Sequence, residues 1–250
     1  MRIGKVILTS SGSGDPESIT LKTFRYMRNT DIVLTDRLVS QDILKYYLNP
    51  ASQVLHVGKE CGNKKSISQT YTNDLMVRNA LKGKLVLRIK GGDVSIFSNI
   101  IAELDVLIQC HIPYEIIPGV TSAFVSSASF GIPLTARGYS SGIRFLTYHH
   151  QNLIQDFQWK ALSETEDTLV FYMIKNIDKL IKYLLKYGIS SGKKLAIIEQ
   201  AGTPSQYMRT NYLQQRKIKK KRSTPYLAII GRVVKFHRYF QWVTKNFSRG

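Results

Sequence analysis

Ile7-Leu8-Thr9-Ser10-Ser11-Gly12-Ser13-Gly14-Asp15-Pro16-Glu17 decides how this chain is read: an apolar strand runs into a glycine turn and then into two acids. A dinucleotide-binding loop has glycines at its first, third and sixth positions, which let the backbone close on a pyrophosphate, and an acid about 20 residues on for the ribose. Gly12 and Gly14 fit that pattern and Asp36 stands near the right distance, but Glu17 occupies the place of the last glycine. Asp15 and Glu17 put negative charge where a pyrophosphate would sit, and Coulomb repulsion argues against NAD. The turn better suits a ligand with a nucleoside, no phosphate and a positive charge, a description that S-adenosylmethionine fits. The same residues also read as a plain strand-to-helix turn, with Gly at positive φ and Asp15-Pro16-Glu17 opening a helix.

Outward from this loop, short apolar strands alternate with helical patterns, the signature of an α/β protein with largely parallel strands. Strands are expected at Lys5 to Thr9, Ile32 to Thr35, Gln53 to Val57, Leu85 to Lys90 and Tyr114 to Ile117. Between them, Thr20 to Arg28, Gln41 to Leu48, Gln69 to Leu81 and Ile100 to Cys110 are each long enough for a crossover helix. After Pro118-Gly119 the pattern restarts with a small-residue helix, Ser122 to Phe130, and strands at Arg144 to Thr147, Thr168 to Tyr172, Leu195 to Glu199 and Leu227 to Ile230. Leu180, Leu184 and Tyr187 recur at helical spacing before Gly188. Two α/β lobes follow, 1–118 and 119–250, with mainly parallel or mixed sheets and a ligand cleft expected between them.

The bulk properties narrow the class. The 250 residues are 43% hydrophobic, enough for a substantial core. No apolar run approaches the roughly 20 residues of a membrane span, and no long apolar block opens the chain, so a cytoplasmic protein is expected. Cys61 and Cys110 are too few for a disulfide framework or a metal cluster. The formal net charge is +19, from 36 Lys plus Arg against 17 Asp plus Glu, a field that attracts polyanions. Nucleic acid and a small molecule with many carboxylates answer to it equally. The densest basic run, Arg216 to Arg222, is most simply a solvated loop.

Four loops fall at the carboxyl ends of the first-lobe strands: Ser11 to Glu17, Asp36-Arg37, Gly58-Lys59 and Gly91-Gly92-Asp93. They converge on one rim. Gly91-Gly92 lets a ligand lie against bare backbone, and Asp93 can accept from ribose hydroxyls or a cationic group. Each of these dipeptides alone is also an ordinary turn.

Taken in order, Gly12-Ser13-Gly14-Asp15-Pro16-Glu17, Asp36-Arg37-Leu38-Val39-Ser40, Val57-Gly58-Lys59, Arg88-Ile89-Lys90-Gly91-Gly92-Asp93, Pro118-Gly119-Val120-Thr121-Ser122-Ala123 and Gly131-Ile132-Pro133-Leu134-Thr135 resemble the tetrapyrrole methylase family. Thr168 to Met173, Gly202-Thr203-Pro204-Ser205-Gln206 and Ile230-Gly231-Arg232-Val233-Val234 continue the likeness through the second half. The resemblance implies a two-lobed α/β enzyme, a homodimer, with S-adenosylmethionine as methyl donor and S-adenosylhomocysteine as product. It further implies methylation of uroporphyrinogen III at C-2 and C-7 to precorrin-2, for siroheme or cobalamin. By motif position the donor would contact Ser13, Gly91, Gly92, Asp93, Ile96, Thr121, Ser122, Met173 and Gly202. Asp36 takes the place of the proton acceptor and Lys59 that of the proton donor. The eight carboxylates of such a substrate also account for the basic charge, with Arg37 and Arg137 as partners and Arg144 as a further candidate.

Several positions depart from that family's pattern. Ser13 replaces the usual Pro between glycines, Val94-Ser95 replaces Pro-Phe, and Ser98-Asn99-Ile100-Ile101 replaces a glycine-rich stretch that should border the cleft. Thr147-Tyr148-His149-His150 departs from Thr-Gly-His, and no Cys or acid stands at ligand spacing to make those histidines a metal site. Other readings of the same chain are a methylase of a later corrin intermediate, an rRNA methylase of this fold, and a polyanion-binding protein with a decayed site. The run Arg216 to Arg222 lacks the interleaved aromatics of RNA readers, so nucleic acid is not the expected partner.

Overall fold

The structure is a computed structural model that describes residues 2–58, 67–148, 154–214 and 226–240. Lys59, Cys61, His149, His150 and the run Arg216 to Arg222 lie outside the described residues. The chain divides into two compact units, Met1–Ser122 and Ala123–Gly250. Among the described residues no helix is long and apolar enough to cross a membrane.

The first unit is built on a five-stranded sheet of order β3-β2-β4-β1-β5, with β1 Lys5–Ser10, β2 Ile32–Thr35, β3 Gln53–His56, β4 Leu85–Lys90 and β5 Tyr114–Ile116. Every pairing is parallel. A parallel sheet covered by helices on both faces must be apolar on both, and the strands alternate accordingly. Val6, Leu8, Ile32, Leu34 and Val86 face one core with Met76, Ala80 and Leu107. Ile7, Val33, Leu87 and Ile89 face the other with Met27, Ile43 and Leu44. The first layer belongs to α3 Gln69–Leu81 and α4 Ile101–Gln109, the second to α1 Leu21–Asn29 and α2 Gln41–Tyr47. Thr20, Ser40 and Ser68 open three of these helices, each side chain accepting from a first-turn backbone N–H. By the same alternation Arg88 and Lys90 share the face of Val86, toward α4.

The second unit, entered along α5 Ser122–Phe130, has a mixed sheet of order β6-β7-β10-β8-β9. Its strands are β6 Ile143–Thr147, β7 Thr168–Ile174, β8 Lys194–Glu199, β9 Tyr207–Tyr212 and β10 Tyr226–Ile230. Among the described strands β6 and β7 pair in parallel, while β10 runs against β7 and β8, and β9 against β8. The carboxyl ends of β6, β7 and β8 therefore lie on one edge. Ile177, Leu180, Ile181 and Leu184 form the buried stripe of α7 Ile177–Lys186. Two of this unit's longer elements escape the sequence pattern. One, α6 Asp156–Glu164, buries only Trp159, Leu162 and Ser163, too few for a visible period. The other, β9, is a half-exposed edge strand of polar composition whose pairing comes from β8. Trp159 nevertheless anchors the core, stacked on Phe171, Tyr183 and Tyr187. The chain then turns through a short helix, α8 His237–Phe240.

Candidate functional site

The rim loops of the first unit come together as the strand order demands. Gly12 and Gly92, from the ends of β1 and β4, exchange two backbone hydrogen bonds of 3.2 and 2.7 Å. Both have positive φ, 71° and 72°, which glycine adopts without a Cβ penalty. Asp15 caps the turn Pro16–Ser18: its Oδ1 accepts from the Glu17 backbone N–H at 2.9 Å and its Oδ2 from the Ser18 hydroxyl at 3.0 Å. Locally, Asp15-Pro16-Glu17 is thus a 3-10 helix start. The adjacent glycines differ in role. A Cβ on Gly91 would meet the Leu38 Cβ at 2.9 Å, whereas one on Gly92 would meet nothing within 4 Å. Gly91 lets the loop after β2 pack close; Gly92 is the one that offers open backbone.

Asp93 is buried and its carboxylate is engaged by its own chain. Oδ1 accepts from the Ser95 backbone N–H at 2.8 Å and from the Ser95 hydroxyl, and Oδ2 accepts from the Gly119 backbone N–H at 2.7 Å. It is a clamp between the β4 and β5 loops rather than an acceptor facing outward. Thr121 is buried, and Ser13, Ile96 and Ser122 are half-buried. The open backbone at Gly92, bridged to Gly12 at the head of a turn that carries the acids Asp15 and Glu17 and no base, fits a phosphate-free cationic nucleoside such as S-adenosylmethionine.

Asp36 is held from below. Arg88 Nη2 donates to Asp36 Oδ1 at 2.7 Å, and Arg88 Nε donates to Glu103 Oε1 at 2.8 Å. The other guanidinium nitrogen, Nη1, donates to the carbonyls of Leu34 and Ile89. Lys90 Nζ donates to Glu103 Oε2 at 2.6 Å and to the Ser98 carbonyl at 2.8 Å. Glu103 has no exposed side-chain surface, Arg88 and Lys90 keep 5% each, and Asp36 keeps 26%. Burial pushes the Lys90 ammonium below the ordinary lysine value, against the opposing pull of Glu103. Asp36, Arg37, Leu38, Gly58, Gln69, Thr72, Arg88, Lys90, Ser98 and Asn99, with Val57, line a cavity of about 260 Å³. Ser98 and Asn99 belong to the segment that departs from the family pattern, so the departure does border a cavity.

The ion-pair partner that the structure gives Asp36 is Arg88, 52 positions on. Arg88, Lys90 and Glu103 were missed as site residues. Their signal was present: two cations at alternate positions of a strand that must be apolar on both faces, and one acid on the buried side of an apolar helix. Lys59 follows Gly58, which lines the cavity.

In the second unit, Met173 and Gln200 take positive φ of 55° and 49° at the carboxyl ends of β7 and β8, with Gly202 at 81°. Left-handed backbone in non-glycine residues costs free energy and clusters at ligand-binding edges. Arg137 lines a cavity of about 520 Å³ with Tyr139, Glu166 and Arg232. Arg144, the further candidate, is engaged within its own unit: its Nε donates to Asp167 Oδ2 at 2.8 Å and its Nη2 to Thr165 Oγ1 at 3.3 Å. That bond holds the Asp167 carboxyl below the usual carboxylate value.

Comparison with known proteins agrees with this geometry. The family model Tetrapyrrole (Corrin/Porphyrin) Methylases matches residues 5–215. The uroporphyrinogen-III C-methyltransferase of Bacillus subtilis is 36% identical over 253 residues, 99% of this chain and 97% of that protein. A siroheme synthase of Nitrosomonas europaea is 36% identical over 247 residues, 96% of this chain but 51% of its own length, so the chain spans about half of such relatives. A crystal structure of uroporphyrin-III-C-methyltransferase from Thermus thermophilus superposes with a TM-score of 0.81 at 29% identity, covering 99% of both chains. Another, complexed with S-adenyl homocysteine, gives 0.76 at 31% identity over 93% of this chain and 99% of that one.

Proposed function

The chain belongs to the tetrapyrrole methylase family, and we propose that it transfers methyl groups from S-adenosylmethionine to C-2 and C-7 of uroporphyrinogen III. The product would be precorrin-2, feeding siroheme or cobalamin. The observation that carries the reading is Asp36 at the wall of a cavity whose other charged lining groups among the described residues, Arg37, Arg88 and Lys90, are all cationic. Such a lining suits a ring substrate that bears many carboxylates and must give up one proton.

The donor, when bound, supplies a methyl group activated on a sulfonium. Ser13, Gly91, Gly92, Asp93, Ile96, Thr121 and Ser122 of the first unit, and Met173 and Gly202 of the second, are its proposed contacts on the strength of their motif positions. Gly92 would lay open backbone against it, and Asp93 would act by holding the β4 and β5 loops in place. Arg37 and Arg137 are the proposed carboxylate partners. Arg88 fixes one oxygen of Asp36, and the other is the proposed acceptor of the proton that the methylated ring loses. Lys59 is the proposed proton donor, from its motif alone. Positioning of the ring carbon in line with the methyl group supplies much of the rate. We further propose a cytoplasmic homodimer acting on a tetrapyrrole and not on nucleic acid. The lack of a membrane-length helix among the described residues and the family membership support that reading.

The test is an anaerobic assay with uroporphyrinogen III and S-adenosylmethionine, following product absorbance and mass. Two added methyl groups are expected, and Asp36→Ala should keep donor binding by calorimetry while turnover falls by about 100-fold or more. Donor binding without any methylation would move the substrate to a later corrin intermediate or to RNA.

A further inference from the structure

We infer that Glu103, buried on α4 and outside the motif segments, is a positioning residue for turnover that acts on Asp36 through Arg88. The inference rests on the reading of Asp36 as the proton acceptor.

The argument starts from cost. Arg88, Lys90 and Glu103 are almost wholly withdrawn from water, and replacing such a set with apolar residues is commonly neutral or stabilising. A buried ionic set with no stability advantage invites a functional reason. Its layout supplies one. A guanidinium has five N–H donors in a fixed plane, so fixing one edge aims the other. Glu103 Oε1 takes Nε at 2.8 Å while the Leu34 and Ile89 carbonyls take Nη1, which leaves Nη2 directed at Asp36 Oδ1, 2.7 Å away. The second Glu103 oxygen takes the Lys90 ammonium at 2.6 Å, so one carboxylate bridges both buried cations and Asp36 supplies the second negative charge. Among the described residues, the charged groups around Asp36 are Arg37 on its own loop and Arg88 and Lys90 on β4, with Glu103 behind them; α3 contributes Gln69 and Thr72 to the cavity and the β3 end Val57 and Gly58.

Glu103→Gln keeps the shape but offers one acceptor where two donors need one, so the guanidinium loses its fixed edge. A misplacement of about 1 Å can cost about 100-fold in rate. In Glu103→Gln we expect kcat to fall about 100-fold, KM to stay within about twofold, and the Arg88 Nε–H resonance, slow to exchange in the parent, to be lost from the 15N spectrum. Arg88→Lys is the second variant, with the charge retained and the fork gone; it should show the same kcat loss with KM kept, and it decides the matter where Glu103→Gln does not fold. A folded Glu103→Gln or Arg88→Lys protein with parental kcat, beside an inactive Asp36→Ala, would overturn the inference and leave the proposed function standing. A parent protein that binds S-adenosylmethionine but methylates no tetrapyrrole would refute the proposed function and the inference with it. Loss of the Arg88 resonance without loss of kcat would make the network a structural one and also overturn the inference.

Discussion

Arg88→Leu is the perturbation that most directly probes how the rim is held. The substitution keeps an apolar stem on β4 but removes donors to Asp36, Glu103, Leu34 and Ile89. Glu103 retains Lys90, but its Oε1, with no exposed surface, loses its partner. Breaking a buried ion pair from one side typically costs about 3–5 kcal/mol, because the remaining charge cannot reach water. Asp36 adds little to that figure, since it keeps 26% of its surface and water can replace the guanidinium. Urea denaturation followed by far-UV circular dichroism is the assay. With a slope of about 2 kcal/mol per M, the midpoint of the first unit should fall by about 2 M. Asp36→Asn, cutting only the exposed end of the chain of charges, should move it by less than about 0.5 M. Equal shifts in the two variants, or an Arg88→Leu shift below about 0.5 M, would refute the claim that Glu103 depends on Arg88 for its burial.

Other outcomes follow from single residues. Trp159→Ala removes the largest fully buried side chain among the described residues and its stacking on Phe171, and should cost the second unit about 3–5 kcal/mol in the same assay. Gly92→Val places a β-branched residue at φ 72° and fills the open backbone, so calorimetry should show S-adenosylmethionine binding weakened by tenfold or more; unchanged affinity would remove Gly92 from the donor site. Glu115 is held down to about 2 by Lys22, Lys5 and the Tyr26 hydroxyl. Its native form therefore binds fewer protons than the unfolded chain between pH about 4.5 and 2, so its contribution is present above pH 4.5 and is lost as pH falls through that window. Glu115→Gln should flatten the acid limb of the stability curve there, an effect that salt reduces because Lys5 and Lys22 reach solvent.

Local chemistry carried most of the fold. Apolar runs such as Val6-Ile7-Leu8 and Ile32-Val33-Leu34 and the glycine turns after β1 and β4 are short-range signals, and the strands they predict stand where they were expected. The ordered rim motifs likewise pointed to the family, because their spacing along the chain is itself the signal. What lay beyond the sequence was partnership across distance. β2 lies beside β4 with Leu34 opposite Arg88, and only that register brings Asp36 within reach of a guanidinium whose other edge is held by α4. Nothing local distinguishes Gly91 from Gly92, yet one packs on Leu38 and the other faces open space. The edge strand β9 has no apolar period because half of it is exposed, so its existence depends on β8 beside it. Periodicity and capping act over a few residues and are written in the chain, whereas the choice of ionic partner is made by strand order and burial, which exist only once the sheet has formed.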